Sequence, residues 1–169
     1  MAERLVMSVI VTLACVVTAA SKPQQAVSVP PACPATIGET SPIAPAAFFG
    51  SSSAHWNGNL YVGALWTDGT IIFRPGGPGF VYPDGSLGMK IAWYRANGLH
   101  GALRIEGKRL DAPGPPLRSR IPHGYGNTGF QATEVIFPAE GCWQVTGTVS
   151  RTSVTFVTRV VRVQRRTPK

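Results

Sequence analysis

Leu87, Met89, Ile91 and Trp93 alternate with Gly88, Lys90, Ala92 and Tyr94 in the middle of the chain. Successive side chains of a strand point to opposite faces, so this period of two predicts a half-buried strand over 87–94. Residues 102–110 repeat the pattern, with Leu103 and Ile105 on one face and Arg104 and Glu106 on the other. Two further strands are predicted over 130–137 and 142–149, joined by the corner Pro138-Ala139-Glu140-Gly141. Ser150-Arg151-Thr152 then turns the chain into a last strand over 153–163. There Val154 and Phe156 share one face, whereas Val157, Val161 and Val163 share the other. A bulge near Thr158, or burial of both faces in a central position, accounts for that shift.

The first half of the domain is punctuated more heavily. Residues 59–66 are apolar on both faces, and Thr67-Asp68-Gly69 separates them from a second run at 70–74, which predicts a hairpin. Pro75-Gly76-Gly77-Pro78-Gly79 breaks the chain, 80–82 forms a short extended piece, and Pro83-Asp84-Gly85-Ser86 turns it again. Prolines on both sides confine 117–121 to a brief edge strand. Gly124-Tyr125-Gly126-Asn127-Thr128-Gly129 is a flexible loop. No stretch beyond residue 20 has the helical period. The pattern predicts an all-β domain over 48–164, an antiparallel β-sandwich of about seven to nine strands.

Before this domain, an apolar run over 5–17 follows Arg4 and ends in Thr18-Ala19-Ala20. That is the layout of a cleavable secretory signal over 1–20, well short of the roughly 20 apolar residues a membrane helix needs. The mature chain is therefore expected to be exported and without a transmembrane span. Residues 21–47 are Pro-rich and aperiodic, an extended lead-in. Cys15 is a candidate lipid-attachment site because Ala14 precedes it, although Leu13 falls one place late for that motif. Cys33 and Cys142 remain for an oxidising compartment. A disulfide between them would pin the lead-in to the C-terminal strands; the alternative is a buried free thiol at Cys142.

Charge narrows the partners. The formal net charge is +8, and losing 1–20 removes only Glu3 and Arg4, so the excess persists. Basic residues gather at Arg159, Arg162, Arg165, Arg166 and Lys169, with 165–169 as a basic tail. Such a balance suits solubility or an anionic envelope component; with an export signal and no nucleic-acid motif, nucleic acid is not an expected partner. A stripe of Arg104, Lys108, Arg109, Arg118 and Arg120 would form if their strands paired, although a solvated sheet face is the default reading.

No constellation required by a particular chemistry emerges. His55, His100 and His123 lie in no recognisable motif, and no Gly-x-Ser-x-Gly elbow occurs. They lack the spacing of a metal site, and the glycine clusters lack the lysine of a phosphate loop, so no metal or cofactor is expected. Trp93 and Trp143, in periodic strands, are assigned to packing. Trp56, Tyr82 and Tyr125 sit beside Gly, Asn or Pro, where exposed rings can stack on sugars. With His55 and His123 they form the candidate ligand-binding set, and no catalytic residue is assigned.

Residues 124–133 (Gly-Tyr-Gly-Asn-Thr-Gly-Phe-Gln-Ala-Thr), Val135-Ile136-Phe137-Pro138 and 141–147 (Gly-Cys-Trp-Gln-Val-Thr-Gly) together resemble a group of small exported bacterial proteins with no assigned function. The similarity extends back through Arg109-Leu110-Asp111-Ala112-Pro113 and 73–80 to His55-Trp56. It implies an immunoglobulin-like β-sandwich, often carried on a lipoprotein, and the weak motif at Cys15 departs from that pattern. It carries over no catalytic or binding residue. The expectation is a non-enzymatic envelope module with a binding or structural role. The alternatives are a carbohydrate or peptidoglycan binder using the loop aromatics and, behind it, an envelope hydrolase.

Overall fold

The computed structural model describes residues 32–40, 53–63, 65–66 and 68–163, and every regular element among them is a strand. In chain order these are β1 (Glu39–Thr40), β2 (Ser53–Asn57), β3 (Leu60–Gly63), β4 (Thr70–Phe73), β5 (Phe80–Val81), β6 (Leu87–Arg95), β7 (Leu103–Arg109), β8 (Arg118–Arg120), β9 (Gly129–Phe137), β10 (Gly141–Val149) and β11 (Thr152–Arg162). One sheet has the order β1-β2-β3-β6-β9-β8, with β5 also paired to β6; the other has the order β4-β11-β10-β7. Pairing is antiparallel throughout except between β11 and β4, which run parallel. The strands beyond those predicted are β1 and β2, in a stretch whose prolines and serines hide any alternation.

Both sheets close over one core. Leu87, Met89, Ile91 and Trp93 are no more than 3% exposed, as their alternation predicts, and they meet Trp143, Val145, Phe156 and Val160 of the opposite sheet. Each such side chain contributes roughly 1.5–3 kcal/mol on burial. Trp93 lies 6.3 Å from Phe156 between ring centres and donates from Nε1 to Thr133 Oγ1 at 3.1 Å. Gly147 faces it from β10, where a Cβ would come within 2.3 Å of the indole. The missing side chain on one sheet thus accommodates the largest on the other.

Two local expectations change. The runs at 59–66 and 70–74 do not form a hairpin: β3 pairs with β2 and β6, whereas β4 joins the other sheet beside β11. Leu65 is buried in the shared core and Trp66 packs against it, so the connection crosses between layers instead of turning back at the surface. The last strand contains no bulge, since its register with β10 runs unbroken from Val160 to Thr152. Thr158 simply takes the core-side position between Phe156 and Val160, its hydroxyl donating to Gly69 O at 2.9 Å. β11 does lie centrally, between β4 and β10, but only its Val154–Phe156–Thr158–Val160 face is buried. Val157 and Val161 are half-buried and Val163 is exposed, so burial of both faces is not what shifts the pattern.

The described part of the lead-in is built into the fold. Cys33 and Cys142 form a disulfide with Cα atoms 5.4 Å apart. Thr36 N donates to Val157 O at 2.8 Å, and Val157 N donates to Thr36 Oγ1 at 2.9 Å. Glu39 and Thr40 pair with Ala54 and Ser53. Residues 32–40 are therefore docked against β11 and β2. Residues 1–31, with the signal-like pattern and Cys15, the rest of the lead-in and the tail at 165–169 lie outside the described residues. Among the described residues no helix is long and apolar enough to cross a membrane.

Candidate functional site

The outward face of the larger sheet is organised in rows. Directly opposed residues share a face, and Val62 and Trp93 point into the core, so Tyr61 and Tyr94 point away from it. Register then aligns Trp56, Tyr61, Tyr94 and Phe130 across β2, β3, β6 and β9. Trp56 stacks on Tyr61 at 5.9 Å, and Tyr61 meets Tyr94 edge-on at 6.5 Å. Tyr61 is fully buried, which raises its hydroxyl pKa by desolvation. Two residues along the strands the row is Ala92 and Ala132, and two further it is Lys90, Glu134 and Arg120. Small side chains between an aromatic row and a charged row leave a trough.

Over β6, β9 and β8 the trough widens into a groove of about 440 Å³, within the range of small-ligand sites. Lys90, Ala132 and Glu134 form its floor. Phe80 of β5 and Tyr82 beyond it make one wall, and Tyr125, from the loop between β8 and β9, makes the other. Phe80 is 49% exposed and Tyr125 36%. Tyr125 is braced edge-on by Phe130 at 5.8 Å, which gives the loop ring a fixed backing.

Tyr82 has another task. Its hydroxyl donates to Glu134 Oε1, and Arg120 Nη1 donates to both Tyr82 Oη and Glu134 Oε2 at 3.2 Å. The Arg120 guanidinium also lies over the Tyr82 ring, 5.4 Å from its centre. The hydrogen bond to Glu134 is the main reason that the Tyr82 hydroxyl pKa is raised. Gly88 makes room for this network, since a Cβ there would lie 2.7 Å from Glu134 Oε1 and 2.8 Å from the Tyr82 ring. With Arg120 over its ring, Tyr82 positions the arginine, and Phe80 and Tyr125 are the exposed aromatic faces.

A buried arginine holds the Tyr125 loop. Arg95, 3% exposed, donates to the carbonyls of Gly101, Gly126, Thr128 and Gly129. Burial lowers its pKa. These bonds hold the chain on the C-terminal side of Tyr125, tie it to the loop at Gly101, and close the end of β6 against β9.

The predicted site residues thus separate. Tyr82 and Tyr125 share the groove. Trp56 belongs to the same outward face but packs on Tyr61 at the β2 end. His55 opposes Val62 and so shares the core-facing side of β2. His123 lines a neighbouring depression with Tyr125, Arg95 and Gln131, whose lining includes no carboxylate and no Ser, Thr or Cys. Phe80, Lys90, Arg120 and Glu134 were not singled out as ligand residues by the sequence. Phe80 and Tyr82 were visible as a short extended piece, but only the cross-strand register brings Lys90, Glu134 and Arg120 together.

The condition for a basic stripe is not met, because β7 and β8 belong to different sheets. Arg109 pairs with Asp111 at 2.7 Å, Arg118 with Asp84 at 3.0 Å and Arg120 with Glu134. A second depression, of about 470 Å³, surrounds the disulfide and the Arg109–Asp111 pair. It has no aromatic lining residue, and residues 32–33, part of the docked lead-in, form one side of it. Among the described residues no three His, Cys, Asp or Glu side chains are grouped to hold a metal ion. Comparison of the chain with protein-family models, curated proteins and solved structures gave no match.

Proposed function

We propose that this chain is an exported, non-catalytic β-sandwich module that holds a cell-envelope component in the groove between Phe80 and Tyr125. The observation that carries this is the convergence of Phe80, Tyr82 and Tyr125, from two separate connections, over a floor of Lys90, Ala132 and Glu134. Export is supported by the signal-like pattern at 1–20 and by the Cys33–Cys142 disulfide, which suits an oxidising compartment. An immunoglobulin-like relation between the sheets and kinship with small exported bacterial proteins belong to the same proposal. One core shared by two sheets supports the former. Cys15 is the residue that would carry a lipid anchor, and labelling with a fatty-acid analogue tests it.

A hydrolase is disfavoured by the geometry. Glu134 is committed to Tyr82 and Arg120, and neither His55 nor His123 lines the groove beside it. A carbohydrate or peptidoglycan ligand is the more specific version, because Phe80 and Tyr125 offer ring faces beside hydrogen-bonding side chains. Co-sedimentation of the mature protein with insoluble cell wall provides the test. Retention that falls with Tyr125→Ala or Phe80→Ala is expected; retention indifferent to both would place binding elsewhere, and no retention would reject an insoluble wall ligand.

A further inference from the structure

We infer that the groove selects an acidic glycan, with sugar rings lying against Phe80 and Tyr125 and their carboxylates meeting Lys90 and Arg120. This rests on the groove being the binding site and adds the chemistry of what enters it. The decisive observation is how its polar groups are committed. Glu134 is the groove's one carboxylate, and it accepts from Tyr82 on Oε1 and from Arg120 on Oε2. Its side chain is only 16% exposed, whereas that of Arg120 is 63% exposed.

Arg120 uses Nη1 for these contacts, and among the described residues nothing accepts from its Nε or Nη2. Lys90 is exposed and opposes Glu134 in register, yet forms no ion pair with any described residue. The uncommitted charged groups in the groove are therefore cations, while its one carboxylate is half-buried and already engaged on both oxygens. A neutral sugar's hydroxyls can accept from these cations, but only a carboxylate also meets them with opposite charge. A ligand rich in acceptors gains charge-assisted hydrogen bonds. The exposed rings call for a flat-faced ligand as well, and the net charge of +8 favours approach of a polyanion.

Affinity electrophoresis in gels containing polygalacturonate, or the same polymer fully methyl-esterified, separates charge from ring shape. The acidic polymer should retard the mature protein, with the ester binding about tenfold more weakly or less. Lys90→Gln, which removes no described hydrogen bond, should weaken binding to the acid several-fold and leave the ester unaffected; Phe80→Ala should weaken both. Equal retardation by acid and ester, lost in Phe80→Ala, would overturn the charge selection while keeping the groove as the site. Retardation of all these variants alike, or equal retardation by dextran sulfate and single-stranded DNA, would show polyanion attraction outside the groove and overturn the inference. No retardation by either polymer would also overturn it.

Discussion

Removing the Cys33–Cys142 bridge, as Cys33→Ala with Cys142→Ala, tests how the lead-in is integrated. The two residues are 109 apart in sequence, and loss of so long a closed loop releases about 4.7 kcal/mol of chain entropy into the unfolded state on the entropy model. For a domain of this size that lowers the melting temperature by roughly 15 °C. Cys142 is buried, so the alanine also forfeits some packing, which acts in the same direction. Scanning calorimetry with far-UV circular dichroism measures the shift without a reductant. Amide exchange gives a local readout, since the Val157 N–H is held by Thr36 Oγ1 and the Thr36 N–H by Val157 O. Both amides should exchange faster in the variant, while those pairing β10 with β11 slow or quicken only with global stability. A melting temperature within about 3 °C of the parent would refute the reasoning.

Gly147→Ala puts a methyl within 2.3 Å of the Trp93 ring. It should cost about 1–3 kcal/mol through overpacking, seen as a lower melting temperature and altered tryptophan fluorescence. Arg95→Met leaves the carbonyls of Gly101, Gly126 and Thr128 without their donor, and should destabilise by roughly 2–4 kcal/mol. Faster amide exchange across 124–129 and weaker ligand binding should accompany it. Asp111 has its pKa lowered chiefly by its hydrogen bond from Arg109. A depressed folded pKa means stability fully present above the unfolded value and lost as pH falls through the lower folded pKa, so the benefit should begin to fall below about pH 4. Asp111→Asn should accordingly flatten the acid limb of a stability–pH profile and leave its shape near neutrality unchanged.

Strands with one wet face were legible because alternation records burial directly, as at Leu87–Trp93 and at Leu103–Ile105. The disulfide was legible as the pairing of the two cysteines that lie beyond the signal-like stretch at 1–20. The parallel β4–β11 pairing was not, since nothing in 59–74 distinguishes a turn at the surface from a crossing between sheets. At Thr158 a polar residue on the core side disguised a regular strand, because its hydroxyl is satisfied by Gly69 O. The groove was half legible. Tyr82 and Tyr125 announced themselves through flanking Pro and Gly residues, but Lys90, Arg120 and Glu134 become neighbours only through register across β6, β9 and β8. Trp56 looked like a loop residue because β2 is short and its partner row lies on the outward face.

The central claim is that the outward groove of the larger sheet is where this protein binds. Amide chemical-shift mapping of the protein, titrated with solubilised cell-wall glycan, tests it most directly. Shifts concentrated at Phe80–Tyr82, Lys90, Arg120, Tyr125 and Ala132–Glu134 are predicted. Saturable shifts confined to the disulfide side, around Arg109, Asp111 and Arg159, would contradict it.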